Sequence, residues 1–137
     1  MKKTLMILIP LLLIMIIGFP LFKDYSELTT ITIPSSVTKI GINPFIGCSK
    51  LTNIVFETNE YFKYEQGMIL TKDSKELISY IHINKTETSF IFLSDELTTI
   101  KESAFEGNSY LQMIVIPMNV TKIEKNAFKD CTKLQHV

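Results

Sequence analysis

Arginine and tryptophan are absent from this 137-residue sequence, so every basic side chain is a lysine. Lysine cannot make the bidentate contacts by which arginine reads guanine. The lysines balance the acids overall, and without Lys2 and Lys3 there are 12 lysines against 14 acids. Because no excess of positive charge is available to neutralise phosphates, the composition argues against nucleic acid as a partner.

Residues that commonly carry chemistry are also scarce. The only histidines, His82 and His136, lie in unrelated parts of the sequence pattern. No G-x-S-x-G, H-E-x-x-H, C-x-x-C or phosphate-binding glycine loop occurs, and the carboxylates are scattered. We therefore predict that the chain is not an enzyme and that it binds no metal or cofactor.

One long apolar run stands near the start of the chain. Residues 5–22 carry no charge and follow Lys2 and Lys3, so residues 1–22 are predicted to be a signal peptide or an uncleaved signal anchor. As a helix the run would span about 27 Å, close to the roughly 30 Å of a hydrocarbon core. Its length and the lack of an A-x-A-like cleavage pattern favour the anchor, an N-terminal hydrophobic helix that contacts the membrane through residues 5–22.

A pattern of apolar residues occurs twice, 83 residues apart. Separations of 23 residues, from Leu28 to Leu51 and from Phe105 to Phe128, give the underlying period. The first copy is Leu28, Ile31, Ile33, Pro34, Val37, Ile40, Phe45, Cys48 and Leu51; the second is Leu111, Ile114, Ile116, Pro117, Val120, Ile123, Phe128, Cys131 and Leu134. A middle copy has Ile91, Leu93, Leu97, Ile100, Ala104, Phe105, Asn108 and Leu111.

The repeat predicts a solenoid rather than an amphipathic helix. Leu-x-x-Ile-x-Ile is typical of a short strand with alternate residues inward, and the proline after it ends the strand. A single coil cannot bury these side chains, whereas stacked coils form a continuous core. We therefore predict that residues 23–137 form 23-residue coils with one parallel β-sheet, and that Phe105 and Phe128 belong to the core.

The pattern L-x-x-I-x-I-P-x-x-V-x-x-I-x-x-x-A-F-x-x-C-x-x-L resembles the BspA-like leucine-rich repeat family of surface antigens. The resemblance covers about residues 28–137, apart from an irregular middle. Three positions depart from it: Pro44 stands at the alanine, Asn108 at the cysteine and Thr88 at the leucine. The resemblance implies a leucine-rich repeat fold and a role in adhesion or in recognition of proteins or glycans at the cell surface.

The irregular middle covers about residues 57–87. Residues 67–71 and 76–80 are strand-like, and residues 72–75 between them are typical of a turn, so a β-hairpin is predicted. Tyr61, Phe62 and Tyr64 are expected to cover its apolar face. A protruding recognition loop is the alternative, although loops of this length usually have structure of their own.

Four further residues could carry bonds or modifications. Cys48 and Cys131 occupy the same repeat position three coils apart, about 14 Å at a strand spacing of about 4.8 Å, so a disulfide is excluded and free thiols are expected. Asn84 and Asn119 begin N-glycosylation sequons, which matter only if the domain is translocated in a host that glycosylates.

The outward positions of the predicted strands are the candidate binding residues, because solenoids bind partners on such surfaces. We call this set the front columns: Thr30, Asn53, Phe90 and Met113 in one column, and Thr32, Val55, Phe92 and Val115 in the other. Exposed apolar surface at Phe90 and Phe92 would mark an interaction site. The alternative is that the hairpin or a neighbouring chain covers these two rings for stability alone.

The sequence thus favours a non-catalytic protein at the cell surface, membrane-anchored or secreted. An intracellular repeat scaffold and a truncated copy of a longer surface antigen are the alternatives. The last residues, 134–137, resemble the start of a further strand, so an open strand edge that pairs edge to edge with another copy is also expected.

Overall fold

The computed structural model describes residues 16–17, 22–82 and 89–137. These residues form short strands and turns, and none of them lies in a helix. The strands are β1 (Ile16–Ile17), β2 (Thr30–Ile33), β3 (Lys39–Ile40), β4 (Asn53–Phe56), β5 (Phe62–Glu65), β6 (Met68–Thr71), β7 (Glu76–Tyr80), β8 (Ser89–Phe92), β9 (Thr99–Ile100), β10 (Leu111–Val115) and β11 (Lys122–Ile123).

Each regular coil contributes two parallel strands. The Leu-x-x-Ile-x-Ile segment forms the first, on what we call the front face, where β2 pairs with β4 and β8 pairs with β10. Alternation buries Ile31 and Ile33 and turns Thr32 outward, as expected for a half-buried strand. The second strand is the short extended segment around Ile40, Ile100 or Ile123, on the back face.

The solenoid is confirmed, but the prediction of one parallel sheet was wrong. The front face has two separate two-stranded sheets, and the back face has the β1–β3 pair and a five-stranded sheet of order β11-β9-β7-β6-β5. The back strands were missed because two residues are too few to show an alternation of apolar and polar side chains.

The irregular coil contains the predicted hairpin. Strands β6 and β7 are antiparallel, and a third strand that the sequence analysis did not identify, β5, is antiparallel to β6. Strand β7 then pairs parallel with β9, with Leu77 opposite Ile100. The coil from Leu51 to Thr88 is therefore 14 residues longer than the 23-residue period, and three coils plus 14 residues account for the 83-residue shift.

Strands β5, β6 and β7 form a wall between two hydrophobic cores. Ile69 and Ile78 belong to the first core, with residues such as Leu28 and Phe45. Met68, Leu70 and Leu77 belong to the second core, which contains the fully buried Phe105. Phe62 is buried and Tyr64 packs partly against the first core, as predicted, whereas Tyr61 is half exposed and does not cover the hairpin. The hairpin is thus a packed part of the structure.

Aromatic rings stack at the corners where the back strands end. Phe22 stacks on Phe45 with ring centroids 5.5 Å apart, and Phe105 stacks on Phe128 at 5.1 Å. The backbone is left-handed at residues that stand two positions from these rings. Asn43, Ser103 and Asn126 precede Phe45, Phe105 and Phe128, and the residues that follow the four rings are Asp24, Gly47, Gly107 and Asp130. Asparagine, aspartate and glycine tolerate this conformation best, so their recurrence every 23 residues was a usable signal.

The predicted N-terminal hydrophobic helix is not supported. Ile16–Ile17 form a strand parallel to β3, and Phe22 is buried against Phe45 as a repeat residue. The other residues of the range 1–22 lie outside the described residues. Among the residues described, we find no helix of the length and apolarity that crossing a bilayer requires.

The last coil is less buried than the coils before it. Phe105 is fully buried, whereas its equivalent Phe128 is only partly buried, so the assignment of Phe128 to the core holds only in part. The same contrast separates Leu97 from Val120. Among the described residues, those after Leu134 pair with the preceding coil through one bridge, between Met113 and His136. Edge-to-edge self-association stays a prediction.

Candidate binding face

The front columns form two separate halves. In the first half Thr30 lies opposite Asn53 and Thr32 opposite Val55; in the second, Phe90 lies opposite Met113 and Phe92 opposite Val115. Strands β4 and β8 are not neighbours in a sheet, so the two halves do not share one hydrogen-bonded ladder. The expected pairing within each half is confirmed, but the continuous array implied by a single sheet is not present.

Apolar exposure is concentrated in the second half. The side chain of Phe90 is 56% exposed and that of Phe92 is 67% exposed, with exposed Val115 beside Phe92 on the next strand. In the first half, Val55 is exposed between the polar residues Thr32 and Asn53. The hairpin therefore does not bury Phe90 or Phe92, and both rings are exposed on the front face.

None of the eight front-column residues is ionisable. On the back face, Lys101 lies between Glu76 and Glu124, with Nζ–Oε1 distances of 3.8 and 3.2 Å, and Lys122 reaches Glu124 at 2.8 Å. The hydrogen bond from Lys122 is the main cause that lowers the pKa of Glu124 to about 2. The back face therefore carries a network of salt bridges, whereas the exposed apolar side chains of the second half lie on the front face.

Buried polar side chains join successive coils. Asn59 donates from Nδ2 to the carbonyl oxygen of Val37 at 2.9 Å and accepts from the backbone N–H of Phe62 at 2.9 Å. Asn43 donates to the carbonyl oxygen of Ser103 at 2.8 Å and accepts from the hydroxyl of Ser79 at 2.7 Å. These bonds satisfy buried groups, which is a structural role.

Several ionisable side chains pack near the hairpin. The buried ring of His82 stacks on Tyr110 at 4.8 Å, and its Nδ1 lies 3.2 Å from the hydroxyl of Tyr80. His136 lies elsewhere, in the bridge to Met113. The hydroxyl of Tyr64 is buried without a hydrogen-bond partner among the described residues. Burial is the main cause that raises the Tyr64 pKa to about 12, so this phenol stays protonated.

Cys48 and Cys131 keep their thiol groups and are not joined in a disulfide, as predicted. Cys48 donates from Sγ to the carbonyl oxygen of Phe22 at 2.9 Å, and Cys131 donates to that of Phe105 at 3.1 Å. In these two coils the cysteine thus bonds its coil to the ring-bearing corner of the coil before it. Within the described ranges, no group of three or more metal-ligating side chains is placed to hold an ion.

Of the two sequons, Asn84 lies outside the described residues. Asn119 is exposed, and its Nδ2 donates to the carbonyl oxygen of Asp95 at 2.6 Å. Glycosylation of Asn119 would require this hydrogen bond to break, and its use stays a prediction.

Residues 13–137 match the BspA type Leucine rich repeat region, in six copies. The chain belongs to the BspA-type leucine-rich repeat family. The match of this BspA-type chain includes residues 13–22, which the sequence analysis assigned to the leader, and agrees with the packing of Phe22 under Phe45. No curated protein matches the sequence.

Two solved structures are similar to this BspA-type chain. The pneumococcal vaccine antigen PcpA is 30% identical over 80% of this chain, with a TM-score of 0.69. A leucine-rich repeat protein from Eubacterium ventriosum is 22% identical over 80% of this chain, also with a TM-score of 0.69, and shows the likeness of fold alone. The chain spans only 27% and 35% of the lengths of these two proteins. It is thus a leucine-rich repeat protein related to surface antigens.

Proposed function

We propose that this BspA-type protein is a non-catalytic recognition protein that binds a protein partner at the cell surface through its front columns. The exposure of Phe90 and Phe92 on adjacent outward positions of β8 is the observation that carries the proposal. Clustered exposed aromatic residues are typical of protein interfaces and dominate their binding energy. The relation to a vaccine antigen supports a surface location.

The binding test uses charge substitutions in the full chain. Phe90→Lys and Phe92→Lys are expected to reduce binding to the cognate target at least about tenfold, because each replaces an apolar contact by a desolvated charge. Met118→Lys is the matched control, since Met118 is 98% exposed and lies outside the front columns. Targets are found by probing arrays of extracellular matrix proteins and of glycans with the purified chain.

Three results of this test are informative. Loss of binding in both phenylalanine variants with unchanged circular dichroism, and none in Met118→Lys, supports the proposal. Binding that survives both substitutions places the interface elsewhere. A target found only on the glycan array would replace the protein partner by a carbohydrate.

Location is tested separately. The proposal includes translocation of the chain across the membrane and an accessible repeat domain. An epitope tag after Val137 should be stained on intact cells and removed by added protease. A tag that is stained only after permeabilisation would favour the intracellular scaffold.

A further inference from the structure

A cleft opens at the edge of the front columns, beside Phe92. It lies between the hairpin and the turn that follows β8, and its volume is about 590 Å³. Clefts of this size accommodate ligands or several amino-acid side chains. Phe92 both lines the cleft and belongs to the front columns, so the cleft is continuous with the proposed binding face.

The floor of the cleft is apolar. It is formed by side chains of the second core that keep a small exposed area, namely Met68, Leu70 and Leu93, with the fully buried Leu77 and Leu97 behind them. Unbranched methionine adapts its shape to a neighbouring side chain more readily than the branched residues do. An apolar side chain that enters the cleft would therefore extend the second core, and the area it buries would favour binding.

The rim of the cleft carries one unbalanced negative charge. Lys63 and Glu65 form an ion pair at 3.2 Å and neutralise each other. Glu96 is exposed on the opposite side, and among the described residues its carboxylate forms no ion pair or hydrogen bond. A positively charged residue of the ligand beside the inserted apolar side chain would form an ion pair with Glu96, whereas a negatively charged residue at that place would be repelled.

We propose that this cleft binds an extended segment of the protein partner, in which a leucine or phenylalanine side chain contacts the apolar floor and an adjacent lysine or arginine pairs with Glu96. The inference rests on the proposed function and names the chemistry of the partner. A peptide fits better than an isolated small molecule because its neighbouring residues can reach Phe92 and Phe90.

The test uses the full chain and fluorescein-labelled peptides, measured by fluorescence anisotropy. Acetyl-Lys-Leu-Phe-Lys-amide is expected to bind at least about threefold more tightly than acetyl-Glu-Leu-Phe-Glu-amide, in line with the strength of exposed charge pairs. Acetyl-Lys-Ser-Ser-Lys-amide should not bind measurably, because it lacks the apolar anchor. Glu96→Lys should reverse the preference between the first two peptides.

Asp95→Lys is the matched control, because Asp95 is the exposed acidic neighbour of Glu96 and does not line the cleft. It should leave the preference between the two peptides unchanged. Chemical shifts of the Leu93 and Ser94 amides should move on addition of the lysine-flanked peptide. Equal affinities for the two charged peptides, an equal effect of Asp95→Lys, or shifts confined to another face would overturn the inference.

Failure of this inference is distinguishable from failure of the proposed function, because Phe90 lies outside the cleft. If Phe90→Lys abolishes partner binding while Glu96→Lys leaves both peptides unaffected, the front columns bind the partner and the cleft does not. If the peptide affinities change as expected with the charge at residue 96 but Phe90→Lys leaves partner binding intact, the cleft is a binding site and the front columns beyond Phe92 are not.

Discussion

At the scale of single residues, the corners of the coils depend on a few positions with a left-handed backbone. Gly47 and Gly107 occupy the same corner position in different coils, with φ of +79° and +76°. Their surroundings differ, because a Cβ on Gly47 would lie 3.0 Å from the backbone N and Cα of Asp24 and closer still to its carboxylate. A Cβ on Gly107 would meet nothing within 4 Å.

This difference predicts unequal costs for the same substitution. Gly107→Ala is expected to destabilise by about 1 kcal/mol, the strain of a left-handed alanine. Gly47→Ala should cost about 2–4 kcal/mol, because backbone atoms of Asp24 must also shift. The free energies of unfolding of the two variants are measured in urea. Equal losses of stability would show that the backbone at Asp24 can shift without destabilising the fold.

The two stacked phenylalanines also differ in burial. Phe105→Ala is expected to cost about 3–5 kcal/mol because its ring is fully buried between neighbouring coils. Phe128→Ala should cost roughly half as much, since part of that ring already contacts solvent. Comparison of both free energies of unfolding with that of the wild type tests the difference. A loss at Phe128 as large as that at Phe105 would mean that the last coil is covered in solution.

At the scale of elements, back strands of successive coils are linked by charge as well as by hydrogen bonds. Glu124, just after β11, accepts from Lys122 on the same strand, from Lys101 after β9, and from the backbone N–H of Glu102 at 3.0 Å. A carboxylate that accepts several charged or polar donors is stabilised in its ionised form. This explains why its pKa falls so far below the ordinary value.

The lowered pKa of Glu124 predicts how the stability of the fold changes with pH. Because folding lowers the Glu124 pKa from 4.5 to about 2, the ionised carboxylate stabilises the fold above about pH 4.5, and this contribution is lost as the pH falls towards 2. Glu124→Gln should therefore destabilise by about 1 kcal/mol at pH 7 and by little near pH 2. The exposed Glu60→Gln is the control, and a pH-independent loss in Glu124→Gln would refute the linkage.

In the hairpin coil, the sequence predicted two of the three strands. The turn at residues 72–75 and the flanking runs identified β6 and β7, because turn residues and β-branched runs are local signals. The third strand, β5, was missed because Phe62 and Tyr64 acquire their strand geometry from pairing with β6 and from contact with the first core. That contact is tertiary and leaves no local pattern.

At the scale of the whole molecule, the repeat period predicted the stacking of coils and the pairs of outward residues, such as Phe92 opposite Val115. It could not predict that the front face is divided, because the position of the inserted wall depends on packing between distant segments. It also overestimated the burial of Phe128, because equal spacing in the sequence does not by itself give equal burial in the structure.

The shared wall predicts that both halves unfold together. Ile69 lies in the first core while its neighbours Met68 and Leu70 lie in the second, so loss of the wall exposes both. Ile69→Ala should cost about 2–4 kcal/mol and lower the urea midpoints of both halves equally. Amide signals of Ile31 and Ile100 report the two halves. Separate midpoints in the wild type would show that the wall does not couple the cores.

The hairpin coil ends with β7 in the same register as the other back strands, and this has a consequence for how such chains diversify. Leu77 re-enters the back sheet opposite Ile100, so 14 additional residues leave every later coil in its original register. Recombination at equivalent strand positions would therefore join coils, with or without a hairpin, into a continuous stack. Each exchanged coil would bring its own outward residues. New combinations of front-column side chains can therefore arise while the buried residues between neighbouring coils keep their pattern.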